Sequence, residues 1–216
     1  MLRHQFVSAF TAFLISLALT DAVRAQQPTP ITSGGKVHIT GENPGIRLLD
    51  KPGGTILTEV NFWGVDWSPA GTGHVCFLTM RNANGQIDLR LALSENPRLV
   101  DFVARETMGK LVTNFNDPPF KPLKAVFTNT GDSVTERRQR CKSDEYDVEL
   151  VWRDFNEGSW GEMRPPNGFH MTFFVITSRT AEVYINGKKA GGSWYPSSFP
   201  ASYLAYAETW RKEDSK

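Results

Sequence analysis

Along most of the chain, apolar and polar side chains alternate one for one. The clearest stretch is residues 86–93, where Ile87, Leu89, Leu91 and Leu93 fall on one face and Gln86, Asp88 and Arg90 on the other. A period of two belongs to a strand with one buried and one wetted side. The same period predicts strands over residues 36–40, 46–50, 55–62, 74–81, 123–129, 134–141 and 146–155. In the last of these Tyr146, Val148, Leu150 and Trp152 share a face. Residues 169–177 are apolar on both faces, as in a central strand, and residues 181–186 lead through Asn186-Gly187 into another. Lys51-Pro52-Gly53-Gly54 and Asn82-Ala83-Asn84-Gly85 supply the turn chemistry between neighbours.

Two segments break the pattern. From residue 96 to about residue 110 the spacing of Leu99, Val103 and Met108 is helical, with Asn96 to cap, Pro97 at the first turn and Gly109 to stop it. Over residues 198–212, Tyr203, Leu204, Ala207 and Trp210 fit a terminal helix better than a strand. The expected fold is therefore mainly β. It is a single β-sandwich or lipocalin-like barrel of about ten short antiparallel strands, with one amphipathic helix and a C-terminal helix. Alternation alone does not separate sandwich from barrel.

The N-terminus changes the picture of where this domain works. Arg3 and His4 precede an uncharged run over residues 6–19, and Val23-Arg24-Ala25 offers the small residues of a cleavage site. That order predicts a signal peptide over residues 1–25. The run is too short for a membrane-spanning helix, which needs about 20 apolar residues. Residues 26–35 read as a Pro- and Gly-rich disordered leader, and residues 36–216 as one domain. The expected location is periplasmic or extracellular, with no stable membrane insertion after processing.

Cleavage after Ala25 takes Arg3, Arg24 and Asp21 from the 24 basic and 23 acidic residues, leaving 22 of each. A neutral chain has no global field to draw it to nucleic acid or an anionic membrane. Cys76 and Cys141 form an even pair, expected to be a disulfide in an oxidising compartment.

Candidate chemistry is sparse. No nucleotide-binding glycine motif or nucleophile elbow occurs, and no cofactor is implied. His38, His74 and His170 lack metal-ligand spacing, so no metal site is expected. Asp154 to Glu162 carries oxygen ligands in a Gly-containing loop but not the spacing of a calcium loop. Glu149, Asp154, Glu157 and Glu162 are the carboxylates from which a glycoside-hydrolysing pair would come. Arg138 and Arg140, outward on an alternating strand, are anion-binding candidates, while Arg137 points to the opposite face.

The aromatic residues carry the functional expectation. Trp63, Trp67, Trp160, Trp194 and Tyr195 lie in Gly- and Ser-containing stretches that read as connections. Indole rings on loops suit a small molecule or glycan. The leading expectation is thus non-catalytic binding through loop aromatics. A carbohydrate-active hydrolase using a carboxylate pair within residues 146–162 is the alternative. A structural or envelope-interaction protein without a small-molecule site is the third.

Overall fold

The structure, a computed structural model, describes residues 36–195 and 202–212. The predicted signal peptide, the leader and residues 198–201 lie outside the described residues. The first five strands are β1 (Lys36–Glu42), β2 (Gly45–Leu49), β3 (Ile56–Trp67), β4 (Gly73–Arg81) and β5 (Ile87–Ser94). A helical segment follows: α1 (Pro97–Asp101), a π-helical turn (Phe102–Thr107) and α2 (Met108–Leu111). Then come β6 (Lys121–Lys124), β7 (Val126–Gly131), β8 (Glu136–Lys142), β9 (Asp147–Phe155) and β10 (Ser159–Met163). The series ends with β11 (Phe169–Ile185), β12 (Lys188–Lys189) and β13 (Ser202–Lys212).

These strands form one sheet in the order β6-β5-β4-β3-β1-β13-β11-β9-β8-β7. Its two end strands are consecutive in the chain, separated only by Ala125, whose N–H donates to the Ser94 carbonyl at 3.1 Å. One segment therefore hands over from β5 to β8, and the sheet is nearly closed into a barrel. Closure of this kind removes exposed sheet edges. The β5–β6 pairing is parallel, unlike every other pairing among the described residues, so the sheet is mixed rather than purely antiparallel.

The alternation sorts side chains into two clusters. On β4, Cys76 and Leu78 point inward, while Val75 and Phe77 point outward. The inner cluster takes residues from around the barrel, including Phe62, Leu91, Leu93, Leu150, Trp152 and Val183. The outer cluster lies under the helical segment, where Leu99, Val103, Ala104 and Met108 cover Trp63, Val75, Phe77 and Ala92. Asn96 caps this segment by accepting from the Arg98 N–H at 3.1 Å. The wider π turn accommodates the five-residue step from Val103 to Met108, so that both reach the sheet.

Several expectations need correction. Gly109 does not stop the helix: it lies within α2, and a Cβ there would sit 2.3 Å from the Ala104 carbonyl oxygen. Residues 202–212 form a strand, not a helix, because β1, β2 and β11 all pair with it. The segments at 169–177 and 181–186 are one strand of 17 residues, pairing with β13 and β10 over its first half and with β9 and β12 over its second. β3 runs on to Trp67, well beyond residue 62.

Candidate functional site

The five aromatic candidates do not converge. Trp63 and Trp67 belong to strand β3 and Trp160 to strand β10, so none of the three is a loop residue. Trp63 is fully buried in the outer cluster, edge-on to Trp210 at 5.6 Å between ring centres. Trp67 and Trp160 are 45% and 59% exposed, and Trp160 meets Phe174 across the β10–β11 pair. Trp194 is half-buried against the inner cluster, and Tyr195 is partly exposed beside it in sequence.

Nor do the acidic candidates form a cleft pair. Glu149 is bound by Arg138 at 2.9 Å. Asp154 accepts from the Thr180 hydroxyl at 3.3 Å, and Glu162 is engaged by Arg164 at 3.1 Å and His170 at 2.9 Å. Glu157 is exposed. None of the four lines either cavity described below.

Arg138 and Arg140 sit in an ionic ladder across the outer face of β8, β9 and β11. Lys189 binds Glu182 at 2.6 Å, Glu182 binds Arg153 at 2.7 Å, and Glu136 is shared by Arg153 and Arg138. Arg140 is paired with Asp147. Lys189, then Arg153, hold the Glu182 carboxyl down to about 2, and Glu136 and Glu149 raise Arg138. Every basic group in this ladder has an acid against it. Arg137 points the other way and binds the half-buried Glu42 at 2.9 Å.

A cavity of about 280 Å³ lies on the opposite side, between the outer face of β2–β5 and the chain that leaves α2. Its size is at the small end for ligand sites, roughly 300–1,000 Å³. Phe77 rises from β4, and Phe115 and Phe120 descend from the connection after α2, with ring centres 5.2 and 4.8 Å from that of Phe77. Met108 and Val112 complete the apolar wall.

The polar wall comes from the outward positions of the strands. Arg47 binds Glu59 at 2.9 Å, and Arg81 reaches the same carboxylate at 3.6 Å. The Arg90 guanidinium lies 4.0 Å above the Phe120 ring and donates to the Phe115 carbonyl, tying down the covering segment. Burial, then Arg81, hold Arg90 below its ordinary value, against the pull of Glu59 and Asp117. Three buried polar atoms of the lining residues have no partner: Arg81 Nη1, Arg90 Nε and Asn61 Oδ1. A buried polar atom left unpaired costs about 1–3 kcal/mol, so three around one cavity call for an explanation.

Sequence reasoning did not single out these residues. The available signal was Arg90 on an otherwise clean strand and two phenylalanines in the connection after the helix. Nothing local placed them against Phe77.

A second cavity of about 310 Å³ is lined by Glu42, Asp66 and His74 with Gly41, Gly64 and Gly73. Burial is the largest influence on Glu42 and raises its carboxyl. Arg137 and the Gln139 amide, at 2.9 and 3.1 Å, nonetheless engage it. His74 is taken by Glu95 at 2.7 Å and stacks on Phe127. These contacts join β1 to β8 across the barrel and leave little free chemistry.

The structure does not contain the expected disulfide; Cys76 and Cys141 are free thiols there, both fully buried in the inner cluster. Burial, then the neighbouring Cys76 thiol, push Cys141 well above its ordinary value. Neither has the electropositive, accessible setting of a reactive cysteine. No helix among the described residues is long and apolar enough to cross a membrane. In comparison with known proteins, the chain matches no family model, no curated protein and no solved structure, so the site is read from its own geometry.

Proposed function

We propose that this protein is an exported, non-catalytic binding module whose ligand site is the cavity between β2–β5 and the segment after α2. One observation carries the reading. Three phenyl rings line the same space as three residues that each carry an unpartnered buried polar atom. Ligand sites combine a mostly apolar wall with a few placed polar groups. The covering segment, pinned by Arg90, would hold the ligand against the sheet. A thermal-shift screen of small aromatic and aliphatic compounds tests it. Ligands that raise the melting temperature should lose that effect in Val112→Trp, which fills the cavity from its rim. Hits untouched by Val112→Trp, or no hit at all, reject the site.

Export rests on the N-terminal pattern, and secreted protein beginning at Gln26 is the expected product, read by intact mass. After export, Cys76 and Cys141 give up two electrons and two protons to a thiol oxidant and join as a disulfide. They face the same core, and the Cys76 thiol lies close enough to Cys141 to raise it. The crosslink would add roughly 4 kcal/mol in the chain-entropy account. Two free thiols in the non-reduced secreted protein would refute it.

A further inference from the structure

We infer that the cavity takes a small carboxylate-bearing amphipath, its apolar body against Phe77, Phe115 and Phe120 and its carboxylate toward Arg81 and Arg90. This rests on the cavity being the ligand site and goes further by naming the class of ligand.

Charge balance supplies the first argument. The cavity is lined by Arg47, Arg81 and Arg90 against two acids, Glu59 and Asp117, an excess of one positive charge. A monoanion restores neutrality; a doubly charged phosphate ester would overshoot it. Hydrogen bonding supplies the second. Arg81 Nη1 and Arg90 Nε are donors without acceptors, on neighbouring strands. A carboxylate offers acceptors to both, and charge-assisted bonds of this kind are stronger than those to a neutral oxygen.

A third argument comes from the arginines elsewhere. Arg138, Arg140 and Arg153 are all raised by acids bonded to them. Arg90 is shifted the other way, with burial and Arg81 as the largest causes. A nearby anion would reverse that shift. The apolar wall sets the rest of the molecule, since phenyl faces and the Met108 and Val112 side chains favour a ring or short chain over a sugar.

Arg90 also holds the covering segment, so its removal would confuse binding with folding. Arg81 is the better probe, because among the described residues its only ion pair is a long one to Glu59. Calorimetric titration of the full secreted protein should compare 1-naphthoate with 1-naphthamide and octanoate with octanamide. Each pair shares a body and differs in charge. At least one carboxylate should bind tenfold or more tighter than its amide. Arg81→Gln should bring that pair to parity with the amide affinity unchanged, Arg81→Lys should keep part of the preference, and Arg138→Gln should keep all of it. Equal binding of acid and amide, or a preference surviving Arg81→Gln, overturns the carboxylate assignment and leaves the cavity standing. No binding by any of the four overturns the cavity as the ligand site.

Discussion

The outer face of the barrel is finished in two ways, and the contrast separates arginines that hold the fold from arginines left over. On β8, β9 and β11 the face is open, and a ladder from Lys189 through Glu182, Arg153, Glu136 and Arg138 to Glu149 spans it. Val151 lies fully buried in the same row, between Arg138 and Glu182 in register, sheltered by long side-chain stems. On β3, β4 and β5 the helical segment covers the face with an apolar layer, and Arg81 and Arg90 border the gap where that layer ends. The same residue type on the same kind of strand thus has two fates. Where acids stand opposite, an arginine is part of the wall; where phenyl rings stand opposite, one donor of each arginine remains unspent.

The largest effect should come from the covered face. Trp63→Ala removes a fully buried indole packed edge-on against Trp210 in the outer cluster and should cost about 3–5 kcal/mol in urea unfolding. A cost near that of an exposed ion pair would mean the helical layer contributes little, and the contrast would fail.

The covered face should also be acid-sensitive. His38 is buried beneath the helical segment, with Nε2 3.1 Å from the Thr107 hydroxyl and its ring 4.8 Å from Phe102 and 4.9 Å from Phe169. Burial, then Lys212, lower it from 6.5 to about 4, while Glu106 opposes. In the unfolded chain the imidazole takes its proton near its ordinary value, so protonation favours unfolding between those limits. Its contribution is complete above pH 6.5, falls as pH drops toward 4 and then levels off. About 1.4 kcal/mol is lost per pH unit across that window. His38→Gln should flatten this part of the stability profile; an unchanged profile would assign the acid sensitivity elsewhere.

The ladder should give the smallest effect. Glu136→Gln removes one partner each from Arg138 and Arg153, which keep Glu149 and Glu182, and partly exposed pairs contribute little, so only a small loss of stability is expected. Raising salt to roughly 1 M, where the screening length is about 3 Å, should remove most of it. A salt-insensitive loss would show that Glu136 acts through packing.

Much of the inner face was legible in the sequence. The alternation over residues 86–93 and 146–155 named Leu91, Leu93, Val148, Leu150 and Trp152 as facing one way, and they share the inner cluster. Asn96 and Pro97 announced the helix start because capping is local chemistry. Residues 202–212 were misread for the opposite reason. Their spacing favours a helix, but a strand's hydrogen bonds are made by other segments, here β1, β2 and β11. The tryptophans were misplaced because glycine beside an aromatic reads as a turn, whereas in β3 Gly64 sits inside the ladder.

By itself, the sequence determined which side of each strand is apolar, where the chain turns, and that Arg137 and Arg138 face apart. Only the tertiary structure decided that Arg137 meets Glu42, that Ala125 carries the chain from one end of the sheet to the other, and that Phe115 and Phe120 come down on Phe77 beside Arg90. Periodicity reports one element's exposure to its surroundings. A cavity is made by residues far apart in the chain, and only the register and closure of the sheet set their distances.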